Sequence, residues 1–303
     1  MAIVLRNDFI ELEVSPELGG KISRLCDRRS GRDWLWKNPH LPMRPPQYGE
    51  SYVENIDSGG WDEIFPSVSP SKAGGFDIPD HGDLVGLPWE VIEQSDKMLF
   101  LGCDTRFAHC RFERRITLDG EKLRFDYRLE NRSDKILPWL WCAHPLIALE
   151  PGMKLLLPPL IAMELKGGVG VKPEKFFWPE AKKSKRRLDV VPDPSSPDFR
   201  PFAAKIFTGF AEAEEFTLIA PDRRSALIFA WDSRQVPYLG LWLNCRGWSG
   251  CGSAPYFNLG IEPTNAPFDD LADAIADDSS GWIPAGETRQ WSLEVRLEIE
   301  APR

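Results

Sequence analysis

The chain has 303 residues, 42% of them apolar and 27% charged, with 37 Lys plus Arg against 46 Asp plus Glu and a formal net charge of −9. That balance argues against a sequence-independent nucleic-acid binder, which needs a basic footprint, and no apolar run approaches the roughly 20 residues of a membrane span. The six cysteines lack paired metal-type spacing and the amino terminus lacks a basic stretch leading into a long apolar one, so the expectation is a soluble, reduced, cytoplasmic protein without a metal or cofactor.

In chain order, Phe9–Val14 alternates as a half-buried strand should, and Gly19–Gly20 leads into a second strand at Lys21–Cys26. A charged turn precedes Trp34–Trp36. The proline-rich Leu41–Tyr52 reads as a loop delivering the chain to SGGWDEIFPSV at 58–68, and Ser69–Asp83 reads as another loop, with His81 near its end. Strands then follow closely: Trp89–Gln94, Met98–Asp104, Cys110–Thr117, Leu123–Glu130 and Leu137–His144. In Leu123–Glu130 the apolar residues 123, 125, 127 and 129 face one way and charged residues the other. Short consecutive strands joined by polar turns make an antiparallel sheet.

Pro173–Pro201 is rich in Lys, Arg, Pro, Ser and Asp, and its basic run (Lys182, Lys183, Lys185, Arg186, Arg187) reads as a solvated loop. Strands resume at Phe216–Ala220, Ala226–Trp231, Tyr238–Asn244 and Tyr256–Ile261. Phe268–Ala276 is the best helix candidate, and Gln290–Glu300 closes the chain as a strand. The expected architecture is all-β: one domain over 1–303, built as a large antiparallel two-sheet β-sandwich with few short helices.

Three polar residues stand at strand ends or turns beside proline or glycine: His81 in DHG, His144 in AHP and Glu262 in GIEP. A residue before proline is pushed into extended geometry, which keeps Glu262 on its strand. Each alone reads as a satisfied or surface residue; together they suggest one polar site. Trp61, Trp89 and Trp242 are most economically core aromatics.

The segments ELGGKISRLCDRRSGRDWLW, GGWDEIFPSV, DHGDLVGLPW, CAHPLIAL, PYLGLWLN, GIEPTN and PAGETRQWSLEVRL, in that order over nearly the whole chain, resemble the aldose 1-epimerase (galactose mutarotase-like) superfamily. The resemblance implies a large antiparallel sandwich and a small-molecule carbohydrate partner. It casts His144 as the acid that protonates the sugar ring oxygen, Glu262 as the base that takes the anomeric proton, and His81 as a contact near the ring oxygen. Two groups titrating near neutrality would suffice for this chemistry. The arginine and aspartate with which galactose-specific members hold their sugar have no match here. Trp61, Asp62 and Glu63 are the candidates to replace them, with Trp61 stacking on a sugar face at the cleft rim. Interconversion of sugar anomers is the favoured reading, on a neutral or weakly anionic sugar and with the 182–187 run uninvolved. A non-catalytic carbohydrate-binding protein is one alternative. The other is a glycoside hydrolase using Glu262 with Asp62 or Glu63, which needs two carboxyls across one bond.

Overall fold

A computed structural model describes residues 2–252 and 254–299. Two large antiparallel sheets carry most of the chain, one of eleven strands and one of eight. The middle of the larger sheet runs, strand beside strand, Lys21–Asp27, Trp61–Ile64, Cys142–Ala148, Phe257–Thr264, Tyr238–Cys245 and Phe202–Thr208. The smaller sheet centres on Ser225–Trp231, Thr288–Ile299, Lys122–Asn131 and Cys110–Asp119.

Period-two alternation decides what lies between the sheets. On Lys122–Asn131, Leu123, Phe125, Tyr127 and Leu129 are buried while the residues between them are exposed or half-buried. From the larger sheet Trp61 packs 4.6 Å from Phe125 and 5.6 Å from Phe229, ring centre to ring centre. Tyr127, Trp141 and Trp291 form a second aromatic group, with centres 4.9 to 5.4 Å apart. The two-sheet expectation holds.

Several local readings are revised. Leu137–His144 is two strands, Leu137–Trp139 and Cys142–Ala148. The ladder breaks because the Trp141 N–H donates to the Asn265 side chain (2.6 Å) and not to a neighbouring strand. The loop at 69–83 contains a hairpin, Ser71–Ala73 with Phe76–Ile78, turning on Gly74 and Gly75, both at positive φ. The basic loop carries short strands, among them Glu174–Phe177 at the sheet edge. The helix is Leu271–Ala276, starting later than expected because the Asp270 side chain caps it by accepting from the Ala272 N–H. The last strand spans Thr288–Ile299; Glu300 lies outside the described residues. Ala162–Val169 and Phe202–Thr208 are strands the sequence reading passed over. No helix among the described residues is long and apolar enough to cross a membrane.

Candidate active site

The face of the larger sheet turned away from the aromatic core carries a row of polar side chains. Its register places them. His144 stands opposite Asp62 on one side, and Glu262 stands opposite Gly240 on the other. Lys205 comes from the next strand, where it pairs with Trp242. Glu262 remains within the Phe257–Thr264 strand, as its position before Pro263 requires.

Two glycines make room for the Glu262 carboxylate. A Cβ on Gly260 would sit 2.7 Å from its Oε1, and one on Gly240 would sit 3.0 Å from its Oε2. Lys205 Nζ closes on Oε2 and also lies 2.8 Å from Asp269 Oδ1. Oε1 has no hydrogen-bond partner among the described residues, although it is buried. The nearest nitrogen paired with it is His144 Nε2 at 3.7 Å, beyond hydrogen-bond length.

His81 comes from the opposite wall. It sits at φ +58, in the left-handed region sparsely used by side-chain-bearing residues and often found at functional sites. Its Nδ1 is 2.8 Å from Asp80 Oδ1, and its ring stacks on Tyr52 at 3.8 Å. The His144 ring meets the His81 ring edge-on at 5.3 Å. Tyr52 opens a single π-helical turn, Tyr52–Ile56, and its hydroxyl donates to Asp62 Oδ2 (2.6 Å). His81, His144, Tyr52, Lys205 and Glu262 line a cavity of about 290 Å³ whose aromatic wall is Trp242, Trp248 and Tyr256. That volume is at the small end of ligand clefts.

Electrostatics sharpen the picture. Burial pushes the His144 ring down to about 3, helped by the charges of His81 and Lys205 and opposed by Asp62. The ring is therefore neutral at neutral pH, contrary to the expectation of an imidazole titrating near 7. Burial works against the Lys205 charge, but Asp269 and Glu262 outweigh it and hold the ammonium well above its usual range. Asp57, also facing the cavity, is raised by burial.

No protein-family model and no curated protein matches the sequence. Solved structures do match the fold. A galactose mutarotase-like protein from Lactobacillus casei superposes with a TM-score of 0.71 at 17% identity, covering 98% of this chain and 100% of that one. The galactose mutarotase related enzyme from Lactobacillus acidophilus gives 0.71 at 14% identity, covering 100% and 99%. The Slr1438 protein of Synechocystis gives 0.70 at 18% identity, covering 99% and 96%. The chain has the galactose mutarotase-like fold.

On this mutarotase-like sheet the predicted site residues divide by face. His81, His144 and Glu262 line one cavity. Trp61 does not reach the rim: it is fully buried between the sheets, against Phe125 and Phe229. Glu63 shares its face, two residues on, where it accepts from Arg114 (3.1 Å), Tyr127 (2.9 Å) and Trp141 (3.0 Å). Asp62 points to the cleft side but is committed to Lys21 (2.5 Å) and Tyr52, so it supports the wall without lining it. Trp242, read as core, is half-buried and lines the cavity. None of the basic run at 182–187 lines it.

Lys205, Asp269 and Tyr52 were missed. Lys205 interrupts FAAKIFT, an otherwise apolar segment, and a lone lysine inside a strand-like run is the signal that was available. Asp269 and Tyr52 lay in stretches read as helix and loop, and nothing local marks them.

Proposed function

We propose that the chain interconverts the anomers of a free sugar by acid–base ring opening at Glu262 and His144. The observation that carries this reading is the Glu262 carboxylate itself, with one oxygen capped by Lys205 and the other buried, unpartnered and 3.7 Å from His144 Nε2 at a cavity wall. Such an atom is costly unless something uses it.

Glu262 Oε1 takes the anomeric hydroxyl proton. The C1–ring-oxygen bond breaks, its electron pair goes to the ring oxygen, and the His144 Nε2–H is delivered there. A neutral imidazole of lowered pKa polarises an oxygen through its N–H, and giving that proton up leaves the His144 ring a transient imidazolate. The proton held by Glu262 then returns to Nε2 across the short gap, so the net change is one proton moved between two oxygens of the sugar. Closing the ring reverses the sequence on the other face. Trp242 and Trp248 offer apolar surface for a sugar face, and His81 polar contact near the ring oxygen. A hydrolase pairing Glu262 with Glu63 has no support, since the two carboxyls lie on opposite sheet faces. Asp62, with Oδ2 held by Lys21 and Tyr52, does not line the cavity.

Freshly dissolved single-anomer sugars and sugar phosphates, followed by proton NMR, test the proposal. At least one neutral sugar should lose its starting anomer faster with protein than without. If none does, while a sugar still binds, the chain is a carbohydrate-binding protein of this fold.

A further inference from the structure

Among the described residues Lys205 is the one lysine lining the cavity, and ring opening as proposed above gives it no role in proton transfer. Its position is nevertheless specified from three sides. It reaches Glu262 across an intervening strand, and it can do so because the residue facing Glu262 on that strand is Gly240. A Cβ there would lie 3.0 Å from Glu262 Oε2 and 3.0 Å from the Phe207 ring, closing the passage. Asp269 holds the ammonium from the far side (2.8 Å). Asp269 is itself fixed, because its carbonyl accepts the N–H groups of Val68 (2.8 Å) and Ser69 (2.7 Å). The Lys205 side chain is only 12% exposed.

We propose that Lys205 is a positioning residue that clamps Glu262 by Oε2, leaving Oε1 as the only oxygen free to accept the substrate proton and keeping the carboxylate ionised in a buried setting. This rests on the proposed role of Glu262. Two physical effects combine. A carboxylate buried without a counter-charge would take up a proton and lose its function as a base. A carboxylate free to rotate would present either oxygen, and misplacement by about 1 Å costs on the order of 10²-fold in rate. The clamp prevents both, with Asp269 offsetting the added positive charge.

The test is Lys205→Met, which removes the charge and shortens the side chain by only one atom, beside Lys205→Arg and Asp269→Asn. With a sugar that wild type interconverts, Lys205→Met should lower kcat by roughly 10²-fold with KM little changed. The acidic limb of its kcat/KM profile should move up by a pH unit or more, and Lys205→Arg should move it back. Asp269→Asn leaves the ammonium uncompensated and should move the limb the opposite way, downward, by less, which keeps the inference testable if Lys205→Met folds poorly. A packing role alone would lower thermal stability and leave the limb where it is; that result overturns the inference.

A second readout needs no turnover. In protein carrying ¹³C-carboxyl glutamate, the Glu262 signal is identified by its loss in Glu262→Gln. Its titration midpoint should rise by at least one unit in Lys205→Met. An unchanged midpoint refutes the clamp whether or not any sugar is turned over. Absence of turnover in wild type together with a shifted midpoint would sink only the functional reading.

Discussion

Glu63 and Glu262 are two carboxylates on one sheet, and they teach opposite lessons. Both are buried, at 0% and 1% exposure, and both sit against a cation. Glu63 faces the aromatic core. Its Oε1 accepts from Arg114 and Tyr127 and its Oε2 from Trp141, so neither oxygen is left over. Glu262 faces a cavity and keeps one oxygen without a partner. Burial and a counter-charge are therefore common to a structural carboxylate and a candidate catalytic one. What separates them is the unpartnered oxygen in reach of a ligand.

The partner across the gap should show the largest effect. His144→Asn should lower anomer interconversion by roughly 10²–10⁴-fold, the usual scale for a positioned proton donor. The same variant carries a stability signature. Folding holds the His144 ring below its ordinary value, from 6.5 down to about 3. The unfolded chain therefore binds more protons in that window, and stability is lost as pH falls through it. His144→Asn should flatten this acid-side loss in a thermal melt.

Glu63→Gln should act on the fold instead. Burial raises the Glu63 carboxyl to about 7 against the pull of Arg114 and its hydrogen-bond donors. Above that range it is the counter-ion of a guanidinium at 0% exposure. Removing the charge at pH 8 should cost about 3–5 kcal/mol by chemical denaturation, the scale for breaking a buried ion pair. The folded fraction should retain its turnover per molecule.

Gly260→Ala sharpens the comparison by moving Glu262 without changing it. A methyl group placed 2.7 Å from Oε1 displaces that oxygen. Turnover should fall by about 10²-fold with the melting temperature nearly kept. The smallest effect is expected at the aromatic wall. Trp242→Ala should raise KM by roughly 3–10-fold, matching the 0.5–1.5 kcal/mol of a ring contact, with kcat little altered.

Much of this was legible in the sequence, and its limits have physical causes. Alternation and turn residues located most strands, and Pro263 kept Glu262 on its strand. The same alternation places Trp61 and Glu63 on one face and Asp62 on the other. Three consecutive strand residues cannot all face one ligand, so Trp61 and Glu63 belong to the core side and Asp62 to the cleft side. His81, His144 and Glu262 stood out because each neighbours proline or glycine. Lys205 had no such neighbour, and the sheet order that carries it to Glu262 through Gly240 is a matter of topology. The neutrality of His144 was equally hidden, since it follows from burial and from charges on other strands.

The most direct measurement compares Glu262→Gln and Glu63→Gln in one anomer-interconversion assay, each beside its own thermal melt. Glu262→Gln should lose roughly 10²–10⁴-fold in rate with an almost unchanged melting temperature, and Glu63→Gln should do the reverse. Near-wild-type turnover in Glu262→Gln, on a sugar the parent protein interconverts, would contradict the proposed role of Glu262 and place the base elsewhere in the cleft.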